Sequence, residues 1–135
     1  MDPAEQELVR ASFARVAVMP EVAAALFYER LFAINPSFRS LFTHDMRIQG
    51  VKLMAMLAII VDNLHQPGET LSSIQDLAKR HVEYGVKLAD YDTLKDALLW
   101  TLEQVLAEDL TPEVRNAWAV CYQELADEMK SAVGG

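Results

Sequence analysis

The stretch Leu77-Ala78-Lys79-Arg80-His81-Val82-Glu83-Tyr84-Gly85-Val86 decides how the rest of the chain is understood. Its spacing is helical: Ile74, Leu77, Ala78 and His81 share one face, with Asp76, Lys79 and Arg80 outside. Tyr84-Gly85 supplies an end, because glycine is the usual residue just past a helix C-terminus. A histidine therefore sits on the apolar face of a helix, close to its stop. Taken alone, such a histidine is most often an ordinary core or surface residue. Its neighbours along the chain decide whether it is more.

Working outward, every long segment reads as helix. Pro67-Gly68 marks a turn before the helix, which starts at Leu71 or Ser72 and ends near Glu83. Upstream, Asp45 is placed to cap a long helix from Met46 to Leu64. Its periodic positions Ile48, Val51, Met54 with Ala55, Ala58, and Val61 with Asp62 are mostly apolar, and Gln49 and Leu53 form a second line, four apart, on an adjacent face. Before it, Pro36 opens a short turn ending near Phe42, and Pro20-Glu21 opens a helix to about Asn35 that is apolar on nearly every side, so both of its faces should be covered, with Tyr28 in its middle. Asp2-Pro3 starts the first helix, which carries Leu8, Ser12, Phe13 and Val16 inward and ends near Met19. Downstream, Asp90 is expected to cap a helix to about Ala107, with Leu94, Ala97, Leu98, Thr101, Leu102 and Val105 on its buried side. Thr111-Pro112-Glu113 begins the last helix, whose core line is Val114, Trp118, Cys121, Tyr122, Leu125 and Met129. No stretch alternates as a strand does, and there is no internal repeat. The expectation is one all-α domain spanning residues 1–135.

Composition narrows the partners. About half of the 135 residues are apolar, which is enough for a substantial core. The net charge of −8 argues against nucleic acid, whose phosphates need Lys and Arg, and against an anionic membrane surface. The longest apolar run, residues 53–61, is too short to span a bilayer. The acidic N-terminus has no secretion core, so a soluble, cytoplasmic protein is expected. Cys121 is the only cysteine, which rules out an internal disulfide framework and a cysteine-rich zinc site.

The candidate chemistry is sparse. His44, His65 and His81 lack the close spacing of a chelating pair on one helix. A haem needs only one protein ligand on one side, so a single helical histidine is compatible with it. No nucleophile–base triad, phosphate loop or carboxylate pair stands out. Trp100, Trp118 and Cys121 read as core or interface residues, and Met54 with Met56 reads as packing.

Four separated features form an ordered set: Tyr28 eight residues before Pro36, Pro36 six before Phe42, Gln49 four before Leu53, and His81 before the Tyr84-Gly85-Val86 corner. This set resembles the globin family over nearly the whole chain. The nearest likeness is to small single-domain bacterial globins, the haemoglobins related to the globin part of flavohaemoglobins; the stretches Leu77–Val86 and Thr111-Pro112-Glu113 to Trp118 and Tyr122 are similar to that group. The resemblance implies a three-over-three helical sandwich around one haem b (iron protoporphyrin IX), set between the Met46–Leu64 and Leu71–Glu83 helices.

It also implies roles. His81 matches the proximal iron ligand, binding through Nε2 while Nδ1–H donates to a carbonyl one turn back, that of Leu77. Phe42 matches the phenylalanine packed on the porphyrin, and Leu53 and Val86 match apolar pocket positions. Lys52 is placed to reach a propionate, or is simply solvated. Tyr28 and Gln49 match the distal positions that donate hydrogen bonds to bound dioxygen, each worth roughly 1–3 kcal/mol in a dry pocket; an ordinary core tyrosine and a solvated glutamine are the plain alternatives. Tyr91 matches the tyrosine that pairs with the proximal histidine, but Val133 stands where the family's glutamate is expected, and that puts peroxidase-like push chemistry in doubt. The gas ligands implied are dioxygen, carbon monoxide and nitric oxide. Reversible high-affinity dioxygen binding is the leading expectation. The competing ones are nitric oxide dioxygenase activity with a separate reductase, since no covalent reductase domain is expected after Gly135, a haem-based gas sensor, and a haem-free globin-fold module.

Overall fold

Capping chemistry sets the helix starts. In the computed structural model, which describes residues 1–42, 45–64, 71–83, 86–87 and 89–134, α1 runs Pro3–Val16 behind a complete capping box. There Asp2 Oδ1 accepts from the Glu5 N–H at 2.8 Å, and Glu5 Oε1 accepts from the Asp2 N–H at 3.0 Å. The helix stops three residues short of the expected Met19, in a turn closed by the Met19 N–H on the Val16 carbonyl. Pro20 then opens α2, Pro20–Ile34. A 3-10 segment, Pro36–Leu41, follows, with Asn35 accepting from the Ser37 N–H.

Asp45 caps α3, Met46–Asp62, through the Arg47 N–H at 2.8 Å. α4 is Leu71–Glu83 and α5 is Asp90–Leu106. After a short 3-10 turn, Thr111 caps α6, Pro112–Gly134, by accepting from the Val114 N–H. Among the described residues there are six α-helices and no strand, so the all-α expectation holds. None of these helices is long and apolar enough by itself to cross a membrane. The His65–Gly68 turn, the Tyr84-Gly85 corner and His44 lie outside the described residues.

Three details depart from the sequence reading. Asp90 does not cap α5. It is the first helical residue, and its carboxylate accepts from the Lys87 N–H at 2.8 Å while its own N–H donates to the Lys87 carbonyl. One residue inside the helix, it faces back into the preceding turn rather than forward to the helix's free N–H groups. In α3, Ile48 and Val51 face outward, 56% and 68% exposed, and the buried line is Gly50, Met54 and Val61. In α2 a single stripe of Ala23, Ala24, Phe27, Tyr28 and Leu31 is buried, while Val22 and Ala25 are exposed. Apolar residues are too dense in both helices for periodicity to point to one face.

The core has three parts. The largest joins α1, α2, α3, α5 and α6 around Phe13, Leu102 and Trp118. Within it, the Trp118 indole N–H donates to Ser12 Oγ at 2.8 Å, a buried polar join between α6 and α1. A second cluster packs Phe27, Tyr28, Leu31, Phe38 and Ala97, with Phe42 and Leu53 against it. A third packs Ile74, Ala78, Tyr91 and Met129, with Leu77 and Val86 against it. α2 packs on α3 and α5, and α4 packs on α6, while α3 and α4 do not pack substantially on each other. A cavity lies between them.

Candidate functional site

One cavity of about 190 Å³ is lined by residues of α2, the Pro36–Leu41 segment and α3 through α6. Tyr28, Phe42, Gln49, Lys52, Leu53, His81, Val86 and Tyr91 all line it. The sequence had singled out each of them, and the fold collects them from five separated stretches.

His81 ends the apolar face of α4. Its Nδ1 lies 2.8 Å from the Leu77 carbonyl oxygen. A carbonyl only accepts, so Nδ1 carries the proton, and in the neutral ring the lone pair is at Nε2. Burial is the main influence on the ring and pushes its pKa below the ordinary histidine value; the Leu77 bond opposes this, and the positive charge of Arg80 adds to it. The site thus favours the form that offers a lone pair. The Val86 N–H donates to the His81 carbonyl at 2.9 Å, which ties the outgoing chain to the helix end and holds Val86 on the cavity wall. Beside the imidazole is the Tyr91 ring, with centroids 6.3 Å apart and planes tilted by 57°. The Tyr122 hydroxyl donates to the Tyr91 carbonyl at 2.6 Å and fixes the first turn of α5 against α6. The Lys130 ammonium sits 5.6 Å from the Tyr91 ring centroid. The side chain of Val133, where the family's glutamate is expected, lies outside the described residues.

Across the cavity, α2 and α3 supply the polar groups. Tyr28 is buried and sits in an aromatic nest, with Phe27 at 5.2 Å, Phe42 at 5.3 Å and Phe32 at 6.1 Å between ring centroids. Phe42 in turn meets Phe32 at 5.5 Å. Gln49 is half-buried in the first turn of α3, one turn before Leu53. Lys52 is exposed yet contributes to the lining, as does Arg80 of α4.

Arg80 is exposed, as its outward position on the helix implies, and it also flanks the cavity, because it directly precedes His81. Met56, Leu57 and Ile60 continue the Gln49–Leu53 line by helical spacing, so that part of the wall was readable in principle. The wall from α6, including Trp118, Cys121, Leu125 and Met129, looks like plain core in sequence because it faces both the core and the cavity.

A haem asks for apolar walls, one neutral imidazole and cations near its carboxylates. Largely apolar side chains, the Nε2 lone pair of His81, and Lys52 with Arg80 meet those needs. No three His, Cys, Asp or Glu side chains among the described residues are grouped to hold a bare metal ion.

The chain is similar to several known proteins. Flavohemoproteins of Bordetella pertussis and Rhizobium meliloti are 29% and 28% identical to this chain, over 94% and 75% of its length. The chain spans about a third of the first and a quarter of the second, with 32% and 26% of their lengths matched. Among solved structures, an engineered carbene transferase from Rhodothermus marinus, described as a nitric oxide dioxygenase, superposes with a TM-score of 0.87. That match has 26% identity and covers 97% of this chain and 92% of the other. Residues 25–129 match the family model for globins. The chain belongs to the globin family.

Proposed function

We propose that this globin binds haem through His81 and holds dioxygen reversibly and tightly in the cavity. The observation that carries this is a single cavity lined by one anchored imidazole from α4 and by a phenol and an amide from α2 and α3. When bound, haem supplies a ferrous iron with an open position for diatomic gases. His81 is the residue that would hold it, with Nδ1–H locked on Leu77 so that the ring keeps one tautomer and one orientation. Tyr91 limits the ring's rotation from the side. Lys52 and Arg80 would take the propionates. Phe42, Leu53 and Val86 would wall the group and exclude water.

Tyr28 and Gln49 set what the pocket retains. Both are hydrogen-bond donors, and a polar diatomic ligand gains more from them than an apolar one. In a cavity with so much apolar surface each bond is stronger than it would be in water. The test is stopped-flow measurement of dioxygen release from the haem-loaded protein. Tyr28→Phe is expected to raise the off-rate about tenfold, equal to ~1.4 kcal/mol. An unchanged rate removes Tyr28 from the role. Absence of a Soret band after haem addition removes the whole reading.

A second reading, nitric oxide dioxygenase activity with a separate reductase, is supported by the description of the Rhodothermus marinus protein. Nitrate yield over many cycles with a flavin reductase separates the two: a yield limited to one equivalent leaves the binding role alone.

A further inference from the structure

We propose that the contact between Ala24 and Gly50 is the spacer that sets the distance between the two donor-bearing walls, so that both residues are positioning residues for gas retention. This rests on the reading of Tyr28 and Gln49 as donors. α2 and α3 pack directly on each other. A Cβ placed on Gly50 would lie 2.9 Å from the Ala24 Cβ. Ordinary contact begins at 3.4 Å, so a methyl group at Gly50 forces the helices apart by about half an ångström. Neither atom can rotate away, because each Cβ is fixed to its backbone.

The crossing point bears directly on the donors. Tyr28 follows Ala24 by four residues, one turn along the same buried stripe of α2. Gln49 directly precedes Gly50, and Leu53 follows it by three, on the cavity side of α3. Ala24 and Gly50 are buried and do not line the cavity, so they touch no ligand there. They fix the separation of the helices that carry the groups which do. Hydrogen bonds tolerate only about half an ångström of spread in length, so parting the helices by that amount loosens the grip of both donors.

The experiment compares four haem-loaded proteins: wild type, Gly50→Ala, Tyr28→Phe, and the swap Ala24→Gly with Gly50→Ala, which moves the single methyl from α2 to α3. Dioxygen off-rates and the infrared C–O stretch of the carbon monoxide complex are read alongside thermal unfolding. Gly50→Ala is expected to raise the off-rate about fivefold or more and to shift the C–O band, while the swap returns both to wild-type values. If Gly50→Ala fails to take up haem, recovery of wild-type values in the swap supports the spacer equally. A glycine needed only for stability would lower the unfolding temperature and leave the band of the folded protein in place, which overturns the proposal, as does a swap that restores nothing. If Tyr28→Phe moves the off-rate and Gly50→Ala does not, the spacer fails and the donor assignment stands. If Tyr28→Phe leaves the off-rate unchanged, the assignment of Tyr28 fails instead, and the C–O band of Gly50→Ala decides on the spacer.

Discussion

Single side chains in this protein do work that their residue type alone does not announce. Ser12 lies on the apolar face of α1 and is only 7% exposed, yet its hydroxyl accepts from the Trp118 indole N–H while its own proton is shared with the Leu8 and Val9 carbonyls. Ser12→Ala leaves that indole N–H buried without an acceptor, and is expected to destabilise the protein by about 1–3 kcal/mol in urea unfolding. Cys121 shows burial acting on a thiol. Desolvation, helped by the negative charge of Glu124, raises its pKa from the ordinary 9.0 to about 12. The unfolded chain therefore loses this proton near pH 9 while the folded protein keeps it, so this thiol's contribution to stability is full below pH 9 and declines as pH rises from 9.0 toward about 12. Native protein should react with a thiol reagent at pH 8 only as fast as it opens, measurable against the denatured rate. His81 was legible as a residue because glycine spacing and helix face are local. The interaction of Ser12 with Trp118 was not, because the two residues lie 106 positions apart.

At the scale of elements, legibility followed the range of the physics. Helix starts were readable at Asp2, Asp45 and Thr111, since a cap is chemistry between neighbours. Asp45→Ala removes the bond to the Arg47 N–H and is expected to cost about 1 kcal/mol, seen as a lowered urea midpoint with an unchanged slope. Because Gln49 and Lys52 lie within the first two turns of α3, that loss should also speed dioxygen release, which the same stopped-flow assay reads. The inward face of α3 was not readable, since Ile48 and Val51 are as apolar as Met54 and Val61. Which apolar residue is buried depends on what α2 presents opposite, as at the close Ala24–Gly50 approach. Arg80 likewise has an outward position on a helical wheel, and only the placement of α4 over the cavity turns it into a lining residue.

For the whole molecule, the eight residues singled out in sequence meet at one cavity, although the α6 wall behind them became visible only in the fold. The two sides of that cavity are supported unequally. Among the described residues, α3 rests on α1 and α2, within the helices that build the largest cluster, whereas α4 rests mainly on α6, with Tyr91 of α5 beside it. A group held by His81 on one side and embraced by Phe42 and Leu53 on the other would join these two sides. Its binding free energy adds to the stability of the folded state, about 2.7 kcal/mol at a hundredfold excess over Kd. Hydrogen exchange should show that gain concentrated in the amides of α4, with those of α1 and the buried part of α5 slow in either state; a uniform gain over all helices would count against this. The prosthetic group would then serve as the keystone of the proximal arch, and the exchange lifetime of the α4 amides would measure how long the protein remembers having been loaded.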